Sequence, residues 1–227
     1  MKKIVILSGA GMSAESGVKT FRDDDGLWQN HRFEDVASPV AWQRDPELVL
    51  EFYNQRRKQL FEVEPNAGHY ALVKLEQKYD VQIVTQNVDD LHERAGSSNV
   101  MHLHGELKKV RSTIDPDLIY TLDHWELKLG DVCEKGSQLR PHIVWFGEAV
   151  DMMGPALSVV SDADILIVIG TSMVVYPAAS LINYVKDEAP KYYIDPKAFN
   201  VSGIKNLEII AKKAGEGAPE LVNRLIS

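Results

Sequence analysis

Two histidines, His102 and His104, stand two residues apart in the run Val-Met-His-Leu-His at 100–104. An unperturbed imidazole titrates at about 6.5, so either can carry a proton near neutrality. On a strand, alternation places both on one face, with Met101 and Leu103 on the other. A histidine pair also suits a metal, but no further ligands lie at suitable spacing nearby, which favours proton transfer and predicts no metal. A second polar group, Gln86-Asn87-Val88-Asp89-Asp90, follows the apolar run 81–85. The carboxyl end of a parallel strand is where ligands bind, while helix capping accounts equally well for Asn87 and Asp89 taken locally. Gly9, Gly11 and Ala14 follow a third apolar run with the Gly-x-Gly-x-x-Gly/Ala spacing that lets backbone approach a pyrophosphate at a helix N-terminus. Gly170-Thr171-Ser172 closes a fourth run and is a second candidate phosphate or ribose contact. Tyr53 and Arg56, three apart, project from one helix face; the plain reading is a solvated Arg beside a half-buried Tyr.

These groups need strands to end where they stand. Apolar runs predict strands at 4–7, 81–85, 100–104, 164–169, 191–194 and 207–210, the fourth being continuous enough for a central strand buried on both faces. Asp45-Pro46 caps a long helix with Leu48, Val49, Phe52, Gln55, Gln59 and Leu60 at helical spacing, stopped at Pro65-Asn66. Further helices are predicted at 67–78, with Tyr70, Leu72, Val73 and Leu75 buried, and at 177–186 and 219–226. Residues 108–140 change character and read as a small inserted module, after which 141–148 returns to the main body as strand and turn. Alternating strands and helices give an α/β fold: a doubly wound parallel sheet with a smaller inserted lobe.

Composition bounds the partners. With 25 Lys and Arg against 33 Asp and Glu, the net charge of −8 argues against a phosphate-backbone footprint, so no nucleic acid is expected. Cys133 is the single cysteine, which excludes an intramolecular disulfide and fits a reducing compartment. The apolar run after Met-Lys-Lys stops at Ser8-Gly9, too short for a signal peptide, and no stretch reaches membrane-span length. A cytoplasmic protein with no membrane partner is expected; oligomeric state is not readable.

A dehydrogenase would follow its first helix promptly with a second strand ending in an acidic residue. Here residues 20–28 intervene, a polar loop with Phe21 and Trp28 as aromatic anchors, suited to a lid that orders over a cofactor. The ordered motifs GAGMSAESGVKTFR, TQNVDDLHERAG, HLHGEL, PHIVWFGE and GTSMVVYPAA cover most of residues 4–180, and together they resemble the sirtuin family. The resemblance implies a Rossmann-like NAD domain (about 1–30, 79–107 and 141–227) and a small lobe (about 31–78, helical, and 108–140) within one catalytic unit of residues 1–227. NAD and an acyl-lysine peptide meet between them. It implies that Gly9, Ala10, Gly11, Ala14, Phe21 and Arg22 contact NAD, that Gln86, Asn87 and Asp89 surround the nicotinamide and its ribose, and that Gly170, Thr171 and Ser172 face ribose or phosphates. His104 becomes the general base and His102 structural. Nicotinamide and O-acyl-ADP-ribose are the implied products. Phe146, Gly147 and Glu148, with Val175, are implied to hold the substrate backbone as an added strand, and the Val144 main chain to take the acyl-lysine amide proton.

The helix sequence FYNQRRKQL resembles the sirtuin branch that removes succinyl and malonyl groups, in which Tyr53 and Arg56 meet the acyl carboxylate and Ala37 leaves room for it. Two departures stand out. The family's four zinc cysteines are reduced to Cys133, so no zinc is expected, and Leu118, Ile119, Tyr120, Leu122, Trp125, Leu127 and Leu129 are candidates for an apolar core in its place. Asp195 stands where Asn often meets the adenosine ribose, and can accept from its hydroxyls equally well. An ADP-ribosyltransferase and a non-catalytic NAD-binding module are the alternatives; retention of Asn87, Asp89 and His104 disfavours the module, and retention of His104 with the Tyr53/Arg56 pair disfavours the transferase.

Overall fold

The computed structural model describes residues 1–18, 32–172 and 178–227. Phe21, Arg22 and the rest of the 20–28 loop, with Val175, lie outside the described residues. The strands are β1 (Lys3–Ser8), β2 (Asp80–Thr85), β3 (Val100–His102), β4 (Gly105–Ser112), β5 (Ile119–Thr121), β6 (Leu139–Ile143), β7 (Ile165–Ile169), β8 (Lys191–Ile194) and β9 (Leu207–Ile210). The α-helices are α1 (Phe33–Val36), α2 (Pro39–Arg44), α3 (Pro46–Glu62), α4 (Ala67–Val73), α5 (Leu91–Ala95), α6 (Met153–Ser161) and α7 (Ala214–Ile226). Among the described residues, no helix is long and apolar enough to cross a membrane.

Six parallel strands form one sheet in the order β3-β2-β1-β7-β8-β9. The chain leaves β1 toward one edge and returns to its other side as β7, so the carboxyl ends of β1 and β7 flank a topological switch point. Period-two alternation divides the apolar side chains between two layers. Ile4, Ile6, Ile83, Ile167 and Ile169 pack with Leu72, Leu75, Leu221 and Val222 on one face. On the other, Val5, Leu7, Val84, Leu166 and Val168 pack with Ala156, Val160, Leu181 and Ile182. Each such side chain, fully buried, stabilises the sheet by roughly 1.5–3 kcal/mol before the entropy of ordering it is counted.

The second sheet is antiparallel, in the order β5-β4-β6. The strand predicted at 100–104 therefore stops at His102, and Gly105 begins a strand of the other sheet. Gly105 has φ of 83°, and a Cβ there would lie 2.0 Å from the His142 carbonyl oxygen, so the chain passes β6 only as glycine. Residues 139–143 likewise pair in this small sheet and not in the main one. Helix α3 begins as expected: the Asp45 side chain accepts from the Leu48 amide at 3.0 Å and Pro46 occupies the first turn. Its buried face differs from the apolar pattern, however. Gln55 is exposed, whereas Tyr53, Asn54, Arg56 and Arg57 are buried with Val49, Phe52 and Leu60. Tyr70, expected inside, is 48% exposed.

Other elements shift. The helix predicted at 67–78 is α4 followed by a 3-10 turn (Lys74–Gln77), and a 3-10 helix (Ala178–Tyr184) stands in the region 177–186. Helix α7 starts at Ala214, with Pro219 inside it. Helix α6, Met-Gly-Pro-Ala-Leu-Ser-Val-Val-Ser, carries no charge to mark a polar face and was not anticipated.

Candidate active site

At the switch point the turn after β1 and the end of β7 interlock. The Gly9 amide donates to the Ile169 carbonyl at 3.0 Å and the Gly11 amide to the Gly170 carbonyl at 2.7 Å. A Cβ on Gly11 would lie 2.9 Å from the Gly170 Cα, and one on Gly170, with φ of 63°, 2.1 Å from the Met12 nitrogen. Here the missing side chains let two backbones touch each other. Two 3-10 turns, Ala10–Met12 and Ala14–Ser16, follow Gly9 where a helix N-terminus was expected, so among the described residues no long helix aims its dipole at this point. Ala10 and Ala14 are exposed beside it. Thr171 is pinned through its carbonyl by the Tyr193 hydroxyl at 2.9 Å and through its side chain by Gln86 Nε2 at 3.3 Å, and half-buried Ser172 follows. Asp195 follows β8 next door, one carboxylate oxygen accepting from the Lys197 amide at 2.8 Å.

The segment 86–90 crosses from β2 to α5. Asn87 is held at three points: its amide donates to Thr85 Oγ1 at 3.0 Å, its Nδ2 to Ser13 Oγ at 3.1 Å, and its carbonyl accepts from His102 Nδ1 at 2.9 Å. Asp89 accepts from the Leu91 amide at 3.2 Å, the cap that local sequence suggested, and also from the Ser13 hydroxyl. Burial pushes its carboxyl above the usual range, against both hydrogen bonds. Ser13 thus links Asn87 and Asp89; a single serine between two small-residue turns gave no signal of this.

His102 and His104 grip adjacent carbonyls. His104 Nδ1 lies 3.0 Å from the Gln86 oxygen. A carbonyl only accepts, so Nδ1 carries the hydrogen and Nε2 keeps a lone pair. Burial lowers the His104 pKa, against the Gln86 bond, so the ring is neutral at pH 7. His102 differs. Its Nδ1 faces the Asn87 carbonyl and its Nε2 lies 2.7 Å from a Glu93 carboxylate oxygen, so both nitrogens meet acceptors. Burial opposes the charge, yet Glu93 outweighs it and the pKa is raised.

In the small lobe Tyr53 and Arg56 are 1% and 7% exposed, which overturns the reading of a solvated pair. Burial pulls the Arg56 guanidinium down to about 10, opposed by Tyr53 and Asp89, so this side chain lies within electrostatic reach of the 86–90 segment. Ala37 is buried with them, and its carbonyl accepts from the Phe146 amide at 3.0 Å. The Glu148 amide is likewise used, by the Trp145 carbonyl at 2.9 Å. Exposed Phe146 lies 4.5 Å from the Phe33 ring, and the Val144 amide bonds the His104 carbonyl at 3.0 Å. The Glu148 carboxylate takes two bonds from Arg140 and one from the Trp145 amide.

The sole cysteine does not suit a cysteine-closed zinc site: Cys133 Sγ lies 3.4 Å from Ser112 Oγ and 3.3 Å from Ser137 Oγ. The apolar core expected in its place is only partly formed. Leu127 is buried with Leu50 and Val110, and Tyr120 and Leu122 pack beside them, but Ile119, Trp125 and Leu129 are exposed. Polar bonds join the lobe instead. Asn54 exchanges two bonds with the Leu127 backbone, both 2.9 Å, and Arg57 donates to the Leu107 and Trp125 carbonyls, both 2.7 Å.

The model of the Sir2 family matches residues 9–177. The chain is 58% identical to an NAD-dependent protein deacylase of Helicobacter pylori, over all of this chain and 98% of that one. It is 52% identical to one of Bacteroides thetaiotaomicron, over all of this chain and 99% of that one. Among solved structures, a Sir2 homologue in complex with NAD matches with a TM-score of 0.88 at 44% identity, covering 99% of this chain and 90% of that one. A Sir2 mutant with a p53 peptide and NAD matches at 0.79 and 29%, covering all of this chain and 94% of that one.

Proposed function

The chain belongs to the Sir2 family and is an NAD-dependent protein deacylase, and on that premise we propose that it removes succinyl and malonyl groups, as well as acetyl, from lysine. The observation that carries the proposal is the pair Tyr53 and Arg56, both buried, with Ala37 in the same core cluster as Tyr53. A guanidinium fork and a phenol form the donor set for a carboxylate, and a partly desolvated pocket strengthens those bonds. Ala37, with no side chain beyond Cβ, leaves space for a longer acyl chain.

NAD, when bound, would supply the ADP-ribosyl group that accepts the acyl: nicotinamide leaves, and one water is consumed as free lysine and O-acyl-ADP-ribose are released. His104 takes a proton from a ribose hydroxyl on Nε2, the nitrogen its Gln86 bond leaves with a lone pair. Asn87 and Asp89, joined by Ser13, line the nicotinamide side. Gly9, Ala10, Gly11, Ala14, Gln86, Gly170, Thr171, Ser172 and Asp195 surround the remainder of the dinucleotide, with Phe21 and Arg22. The Val144 carbonyl orients the acyl-lysine amide, and Phe146, Gly147 and Glu148 hold the substrate backbone together with Val175. NAD-binding and small-lobe parts divide at about 30, 79, 107 and 141, the lobe folds without zinc, and the protein works in the cytoplasm. Mass spectrometry of matched succinyl- and acetyl-lysine peptides with NAD tests this: nicotinamide and O-acyl-ADP-ribose appear together, and His104→Ala abolishes both. ADP-ribose transferred to protein without deacylation would contradict it.

A further inference from the structure

Tyr53 has a neighbour that decides which way its hydroxyl points. Trp145, 2% exposed, lies with Nε1 3.1 Å from the Tyr53 oxygen. An indole nitrogen has a hydrogen and no lone pair to offer, so the direction is fixed: Trp145 donates and the Tyr53 oxygen accepts. That oxygen's own hydrogen remains to be given, and among the described residues Trp145 is the one hydrogen-bond partner of the Tyr53 hydroxyl.

The indole is clamped. The Arg140 guanidinium carbon sits 3.3 Å from the centre of the Trp145 ring, and Trp42 tilts against it at 5.8 Å. Arg140 is fixed in turn by two bonds to Glu148, 2.7 and 3.0 Å, and one to the Ile143 carbonyl at 3.0 Å. Glu148 closes the loop by accepting the Trp145 amide at 2.8 Å. A cation over an indole face draws electron density from the ring and strengthens its N–H as a donor. The Tyr53 ring is held edge-on by Phe52 at 5.1 Å.

We propose that Trp145 is a positioning residue for acyl-group specificity: by occupying a lone pair of the Tyr53 oxygen, it turns the phenol into an obligate donor toward the acyl group. A donor beside the Arg56 fork selects an acyl chain ending in a carboxylate, which offers two acceptor oxygens, over one ending in a methyl group. This rests on the reading that Tyr53 and Arg56 face the acyl group.

The test is Trp145→Phe, which keeps an aromatic ring under Arg140 and removes the N–H. Steady-state rates are measured on succinyl- and acetyl-lysine peptides of one sequence at saturating NAD. Losing the orientation of one hydrogen bond should raise KM for the succinyl peptide roughly five- to tenfold with kcat within about twofold, lowering the succinyl-to-acetyl ratio of kcat/KM by a similar factor. In a Tyr53→Phe background the Trp145→Phe change should add nothing to that ratio. An equal loss on both peptides, or a full additional loss in the Tyr53→Phe background, overturns the inference. Should Trp145→Phe melt early, benzothienylalanine at this position, an isostere without the N–H, carries the same prediction. A wild-type protein that desuccinylates through Arg56 yet ignores loss of the Trp145 N–H overturns this inference alone. One that turns over acetyl but not succinyl peptides overturns the reading of Tyr53 and Arg56, and this inference with it.

Discussion

His102 and His104 share a strand face by alternation, yet the fold shifts their titration in opposite directions. His104 donates Nδ1–H to the Gln86 carbonyl and is kept neutral by burial, while His102 faces two acceptors, one of them the Glu93 carboxylate. A base must be neutral to accept a proton, and burial lowers the pH at which His104 would charge. Activity should therefore persist into mild acid and fall as pH drops through the lowered value. The acidic limb of kcat/KM should lie below about 6.5, the free-imidazole value, and a limb above about 7 would contradict the assignment. The resemblance carried by His-Leu-His-Gly assigns the two histidines different roles; the partners that give them different surroundings were not legible, because the carbonyls of Gln86 and Asn87 come from a loop that only tertiary pairing of β2 with β3 brings alongside.

Helix α3 shows where periodicity stops informing. Its cap, start and aromatic positions follow from Asp45, Pro46 and Phe52, but the apolar count could not foresee a buried Asn54 and Arg57. Their partners lie 50 to 73 residues away, on Leu107, Trp125 and Leu127. These bonds fasten the 108–140 module to the helix. Asn54→Ala would leave the Leu127 amide and carbonyl without their partner and should cost about 1–3 kcal/mol, seen as a lowered midpoint in urea. With one cysteine in the chain, a chelator should leave the melting temperature unchanged; a substantial drop would mean that metal holds the lobe. The Gly9/Gly11 spacing shows a different limit. It predicts room for a pyrophosphate, while a Cβ at either position would also meet the Gly170 backbone, and a local fingerprint cannot tell a ligand from a second turn.

Across the whole molecule, the six strands of the parallel sheet and the strand ends that carry Gln86, Asn87, Thr171 and Asp195 were legible because buried parallel strands read as unbroken apolar runs, whereas their order came only from the structure. Buried polar groups behind that edge were not. His69 and His92 pack at 4.9 Å in the interior, and burial lowers His69 to about 4 and His92 well below its ordinary value. A histidine whose pKa is depressed by folding contributes stability that is whole above the unfolded value of about 6.5 and is lost as pH falls toward about 4. His69 alone accounts for roughly 3 kcal/mol over that range. The urea midpoint should fall between pH 6.5 and 5. His69→Gln, which can still accept from the Asn66 amide at the helix start, should flatten that slope, and an unchanged slope would contradict it. The account as a whole turns on which acyl group Tyr53 and Arg56 meet. The most direct measurement compares kcat/KM for succinyl- and acetyl-lysine peptides of one sequence in wild type and Arg56→Met. The account predicts desuccinylation by the wild type and a loss of tenfold or more confined largely to the succinyl peptide, for removal of a charged hydrogen-bond donor; an equal loss on both peptides would contradict it.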